Sequence, residues 1–298
     1  MSGNLTPYLL ALSAGLAYAF SALLAKRAME LGAGTSRSLI YSNWITALFF
    51  LPYPLLADSP LQNSDFQNGA ILGGIFFTAQ SLCFAALRSG DASMVTPIMG
   101  SKSVFVALFL FLLGLSPEPI GLATWTAAGL AAVAVALIGW PTKGSSPSLP
   151  GMALALCTAA AFGLVDSMVP HFTHQSDPFN VLFVMFSTLG LLSFALIPLS
   201  QGKFLGSSGR ADRWMWASSL PMGGQAVLMS FAIGFFRVPT EANVFYSCRG
   251  LWAILLVAFL GRRMGLREGN VSRSTQIRRA IGAGLLVLGI YLTPMGGD

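Results

Sequence analysis

The 298-residue chain is 54% hydrophobic and only 9% charged, whereas an ordinary soluble domain carries about 25% charged residues; a soluble globule is excluded. Ten membrane crossings of about 20 residues use roughly 200 residues and leave under about 100 for loops and termini, so no separate soluble domain fits. The net charge of +6 would suit nucleic acid only on a folded basic surface. Here the basic residues sit in short connections between apolar runs, and no nucleic-acid partner is expected.

Apolar runs bounded by Gly, Pro, Ser and charged residues predict ten helices. In chain order they are Pro7 to Arg27, Arg37 to Ala57, Asn68 to Arg88, Ala92 to Gly114, Ile120 to Trp140, Leu149 to His171, Pro178 to Leu199, Trp214 to Arg237, Glu241 to Gly261 and Ile277 to Met295. With so few polar residues per run, helices that satisfy their own backbone bonds are expected, not the alternating strands of a barrel. Met1 to Tyr8 contains no Lys or Arg, and Lys26 and Arg27 lie at the far end of the first run. That charge order is the reverse of a signal peptide, and the first helix is expected to be retained. Cys83, Cys157 and Cys248 fall inside apolar runs without CxxC spacing, so neither a zinc site nor a disulfide framework is indicated.

The connections after odd-numbered helices hold Lys26, Arg27, Arg37, Arg88, Lys143, Lys203, Arg210, Arg213, Arg262, Arg263, Arg267, Arg273, Arg278 and Arg279; the opposite side holds Arg237. The positive-inside rule places the odd connections in the cytoplasm and both termini outside.

An internal repeat emerges when the fourth run is laid beside the ninth. Gly100-Ser-Lys-Ser-Val-Phe-Val-Ala-Leu-Phe-Leu-Phe-Leu-Leu-Gly114 aligns without a gap on Ser247-Cys-Arg-Gly-Leu-Trp-Ala-Ile-Leu-Leu-Val-Ala-Phe-Leu-Gly261, pairing Lys102 with Arg249. Ala19-Phe20-Ser21 corresponds to Ala161-Phe162-Gly163, and Ser81 to Arg88 corresponds to Ser230 to Arg237. The expected fold is therefore all-α and integral to the membrane, with residues 1–142 and 149–298 as two five-helix repeats. An odd helix count per half inverts the second repeat, and in inverted repeats the substrate site lies near the midplane at their interface.

On these features the chain resembles the drug/metabolite transporter superfamily, specifically its ten-helix EamA-type members built from two five-helix modules. The resemblance rests on the helix count, the paired Ala-Phe-Ser and Ala-Phe-Gly segments, and the Leu-Gly endings of the fourth and ninth runs. The Glu that usually follows those endings is displaced here to Glu118 and Glu268. Membership implies a transporter working without a cofactor, in a family that includes metabolite and amino-acid exporters and exchangers of sugar phosphates and nucleotide sugars. A bacterial inner (plasma) membrane location and function as a monomer are expected.

Lys102 and Arg249 lie too deep in their runs for easy snorkelling. Each costs about 2.5 to 3.5 kcal/mol at the membrane centre unless water, a partner or substrate compensates. Two symmetry-related cations facing one cavity would attract an organic anion, with the planar Arg fork suited to carboxylate or phosphate. By resemblance, phosphate-translocating members of the superfamily also use basic residues on the corresponding helices. The alternative is that one cation pairs with Asp166, the acid well inside the sixth run, and ties helices together. Asp166 is thus open between ion pair and proton-coupling site. Tyr246 and Trp252 flank Arg249 at three-residue spacing and are expected on its helix face. Tyr18, Tyr41, Asn43, Trp44, Gln80 and Gln225 add polar groups in apolar surroundings, as cavity residues or as interhelical glue.

His171 and His174 lie at the exit of the sixth helix, and no HExxH, P-loop or GxSxG motif occurs, so no catalytic residue and no metal site is assigned. A secondary transporter of a small organic anion is the leading expectation. An amino-acid exporter, with an aromatic substrate in view, is the alternative within transport; a membrane-embedded transferase and a scaffold are the alternatives outside it. The expected partners are the small-molecule substrate and the lipid bilayer.

Overall fold

The computed structural model describes residues 4–89, 98–116, 119–140, 149–200, 209–260 and 273–293. The junction at 142 to 148, Glu118, Glu268, most of the short basic connections and the C-terminal residues Gly296 to Asp298 lie outside the described residues. Among the described residues the chain is helical, without strands. The first crossing is α1 (Thr6–Glu30), the second α2 (Thr35–Phe50), the third α3 (Asn63–Ser89), the fourth α4 (Lys102–Leu112) and the fifth α5 (Leu122–Ile138). Then follow α6 (Leu149–Gln175), α7 (Pro178–Leu192), α8 (Arg210–Ser230), α9 (Pro239–Tyr246), α10 (Arg249–Leu260) and α11 (Arg273–Leu292). Thr6–Glu30, Leu149–Gln175 and Pro178–Leu199 are each long and apolar enough to cross a bilayer unaided.

Helix ends follow local chemistry. Pro178 opens α7 in the first turn, where its missing N–H costs nothing, and Asp177 caps the helix by accepting from the backbone N–H of Phe179 at 2.9 Å. The second crossing, expected to reach Ala57, stops as α-helix at Phe50 because Pro52 and Pro54 cannot donate to the ladder; Tyr53–Leu55 forms a 3-10 turn instead. The eighth crossing continues past Ser230 as a π-helical turn, Phe231–Phe235, and turns away at Arg237, whose φ of 57° is left-handed.

The ninth run, expected to be continuous from Glu241 to Gly261, is divided into α9 and α10 by a turn at Ser247 and Cys248. The fourth is interrupted at the matching place, with Gly100 and Ser101 in a turn immediately before Lys102. At both breaks a serine hydroxyl is bonded back into the preceding turn. The Ser247 hydroxyl donates back to the Asn243 carbonyl at 2.8 Å, and the Ser101 hydroxyl donates to the Ile98 carbonyl at 2.7 Å, local bonds that compete with the helical ladder. Each cation is thus the first residue of the helix after a break.

In the packing, α1 and α2 lie along α8, while α3 lies along α6 and α7. Helix α4 packs on α6, α10 on α1, and α11 on α5. Small residues let these helices approach closely. A Cβ built at Gly73 of α3 would stand 2.5 Å from the Met185 carbonyl oxygen of α7. The principal apolar core gathers Tyr8, Phe50, Tyr53, Leu182, Phe186 and Ile233, all buried.

Candidate functional site

The helices enclose a cavity of about 430 Å³. Tyr18, Asn43, Gln80, Lys102, Asp166, Gln225, Tyr246 and Arg249 all contribute to its wall. At one end it extends between the last turns of α1 and the first turns of α2, reaching Met29, which is 41% exposed, and Thr35. At the other end its lining stops at Val169 and Ile233. Met29, Met99, Met185, Met222 and Met229 supply much of the apolar wall, flexible side chains that fit irregular ligands.

Lys102 and Arg249, drawn from opposite halves of the sequence, face this one space with different partners. Lys102 Nζ lies 2.6 Å from Asp166 Oδ2. The same oxygen accepts from Asn243 Nδ2 at 2.8 Å, joining α4, α6 and α9 in one buried group. The ammonium also faces the rings of Phe162 at 5.7 Å and Tyr246 at 5.6 Å. Pro170, four residues beyond Asp166, removes the N–H that would otherwise bond the Asp166 carbonyl. Of the two readings left open for Asp166, the ion pair is the one formed in this conformation, and it lines the cavity.

Arg249 has no carboxylate within 4.0 Å among the described residues. Its guanidinium carbon lies 5.2 Å from the Tyr18 ring centre and 4.7 Å from that of Tyr246. Tyr18 and Tyr246 meet edge to face at 6.0 Å. The cation is therefore held by aromatic faces and not neutralised.

Other expected residues divide between wall and scaffold. Asn43 donates to Ser193 Oγ at 2.8 Å, tying α2 to the end of the seventh crossing from the cavity wall. Gln80 lines the cavity with its buried Oε1 unpartnered among the described residues. Trp44 donates through Nε1 to the Gly190 carbonyl at 3.1 Å, and Tyr41 packs on Trp44 and Trp216 beside Arg37; neither is among the described lining residues. Trp252, expected on the face of Arg249, instead packs against the cluster formed by α5 and α11. Arg249 opens α10 beside Tyr246 at the cavity, while Trp252, three residues on in the same helix, lies toward α5 and α11. Asn243 and Phe162 were not singled out as site residues by the sequence. Asn243 lies three residues before Tyr246, so the same helical spacing that selected Tyr246 also points to it.

With the geometry in place, comparison with known proteins adds the lineage. No curated protein matches the chain. A solved structure described as "Crystal structure of protein" is similar over 96% of this chain and 95% of its own, with a TM-score of 0.74 at 18% identity, a likeness that speaks for the fold. Residues 5–140 match the EamA-like transporter family. That match spans residues 5–140 of the 298, under half of the chain, and supports an EamA-type assignment within the drug/metabolite transporter superfamily.

Proposed function

We propose that the chain is a secondary active transporter that moves a small organic anion by alternating access, with the cavity as its substrate site. The observation that carries this reading is the pair of intramembrane cations, Lys102 and Arg249, lining one cavity in an EamA-type protein. Intramembrane charge is expensive and marks substrate pathways. In this reading Arg249 and Tyr246 contact the anion, Lys102 lines the site in its pair with Asp166, Tyr18, Gln80 and Gln225 complete the wall, and Asn43 supports it from α2. Trp44, Tyr41 and Trp252 act by packing.

The reading includes two inverted five-helix repeats, 1–142 and 149–298, and three features support it. The contact of α1 with α8 has its counterpart in α6 with α3, that of α2 with α8 in α7 with α3, and that of α10 with α1 in α4 with α6. Each pair exchanges when the halves exchange. The matched helix breaks before Lys102 and Arg249 obey the same relation, and such discontinuous helices are typical of midplane sites in transporters. An amino-acid exporter is the second reading, favoured by the aromatic faces of Tyr18, Tyr246 and Phe162 around the two cations.

The test is counterflow in proteoliposomes loaded with organic acids or amino acids. Uptake of a labelled organic acid against its own gradient is expected in wild type and absent in Arg249→Met. Counterflow of amino acids alone would select the second reading, and counterflow of neither would refute transport of both classes.

A further inference from the structure

We propose that the cavity selects singly charged anions with a flat apolar body, and that Asp166 sets this selectivity by cancelling the charge of Lys102. The inference rests on reading the cavity as the substrate site.

The charged side chains among the described lining residues are Lys102, Asp166 and Arg249. Near the mouth, Arg37 and Asp212 are paired with each other at 2.7 Å. Lys102 and Asp166 are in contact at 2.6 Å, so the described lining carries the single net positive charge of Arg249. An anion with one negative charge docking on the guanidinium leaves the space neutral. A second carboxylate would bring the total to one net negative, and Asp166 already holds the ammonium that would receive it. Surplus charge in a space walled by methionine, phenylalanine and leucine is poorly compensated.

The partners of Arg249 define the rest of the ligand. Tyr18 and Tyr246 present ring faces at 5.2 and 4.7 Å from the guanidinium carbon. A carboxylate on the Arg fork places the adjoining atoms of its own body beside those rings and the methionine wall. A zwitterion fits less well. Its ammonium would have to share an Asp166 that already serves Lys102 and Asn243.

Asp166 is thus a specificity residue acting through Lys102. Removing its charge frees the ammonium and converts a site for one negative charge into a site for two. The experiment measures binding to purified full-length protein of three probes with a common phenyl body: 3-phenylpropanoate, phenylsuccinate with both carboxyls ionised, and L-phenylalanine. Wild type is expected to bind 3-phenylpropanoate most tightly. Asp166→Asn should shift the affinity ratio toward phenylsuccinate by about tenfold or more, the effect of one new charge-assisted hydrogen bond. Adding Lys102→Met to Asp166→Asn should abolish that gain, because the freed ammonium is its source.

The proposal is overturned if wild type fails to bind 3-phenylpropanoate, or binds either other probe as tightly or more tightly. It is equally overturned if folded Asp166→Asn keeps the wild-type ratio, or if the gain survives loss of Lys102. Where Asp166→Asn does not fold, the wild-type ranking decides. Loss of counterflow with the binding order intact would count against the transport reading and leave the selectivity assignment standing.

Discussion

The two ends of the helical bundle are built differently. At the end where α6 meets α7, Thr173 Oγ1 lies 2.8 Å from the Gly234 carbonyl oxygen. Phe179, Phe231 and Phe235 stack and cross there, with Phe179 and Phe235 centred 4.8 Å apart. Asp177 accepts from the Asp58 N–H at 2.8 Å, Asn180 donates to the Ser59 carbonyl at 2.9 Å, and Ser176 donates to Asp65. At the other end, the corresponding parts of α1 and α3, at Ala25, Met29 and Cys83, line the cavity. One end is thus sealed by an aromatic plug inside a polar seam and the other is open. Two ends made from the same helices are held by different contacts, and exchanging those contacts is what alternating access would require.

The largest expected effect comes from fixing the sealed end. A Cβ built at Gly234 stands 3.6 Å from Thr173 Cγ2, so side chains at 173 and 234 meet across the seal and a cysteine pair there can be tested for cross-linking. The oxidised Thr173→Cys, Gly234→Cys protein should fall to background transport and recover on reduction. Full transport with the bridge intact would show that this end need not part. Next in size is Arg249→Met in the open cavity: anion affinity should drop by about 10 to 150-fold, the worth of a charge-assisted hydrogen bond. Arg249→Lys should retain part of it if charge alone anchors the ligand, and titration calorimetry would separate the two. Asn243→Leu removes one donor from Asp166 at the cavity wall and should cost about 1 kcal/mol of stability, read as a lower Tm in detergent. The smallest effect is expected from Thr173→Val, which deletes a single bond of the seal worth about 0.6 kcal/mol. It should raise thiol labelling of an Ile233→Cys reporter from the sealed side; unchanged labelling would transfer the role to the aromatic plug.

The crossings were legible in the sequence because hydropathy is summed over whole helices, and errors of a few residues leave the sum unchanged. Lys102 and Arg249 were legible for a related reason, since a buried cation stands out against an apolar run. The breaks before them were not. Gly100-Ser101 and Ser247-Cys248 are apolar or small, and the interruption shows only in the folded backbone, where the N–H groups of Ser101 and Cys248 bond to carbonyls three residues back. Trp252 shares α10 with Arg249, and its packing toward α5 and α11 is set by tertiary contacts that spacing along the chain does not carry. The choice of Asp166 for Lys102 over Arg249 depends on how α4 packs on α6, a tertiary fact with no trace in spacing along the chain.

Two glycines outside the cavity have a consequence for how the chain tolerates change. A side chain at Gly15 of α1 would press on the Tyr246 carbonyl oxygen at 3.1 Å and the Arg249 nitrogen at 3.3 Å, and one at Gly163 of α6 would collide with Phe105 Cβ at 2.6 Å, one turn past Lys102. Arg249 is therefore seated against bare backbone from the opposite half of the chain, and so is the helical turn that follows Lys102. In a saturation library selected for substrate movement, Gly15 and Gly163 should rank with the cations among the intolerant positions. A map of intolerance drawn for this chain would outline helix contacts as strongly as the ligand, and a screen for substrate contacts would need binding data to tell the two apart.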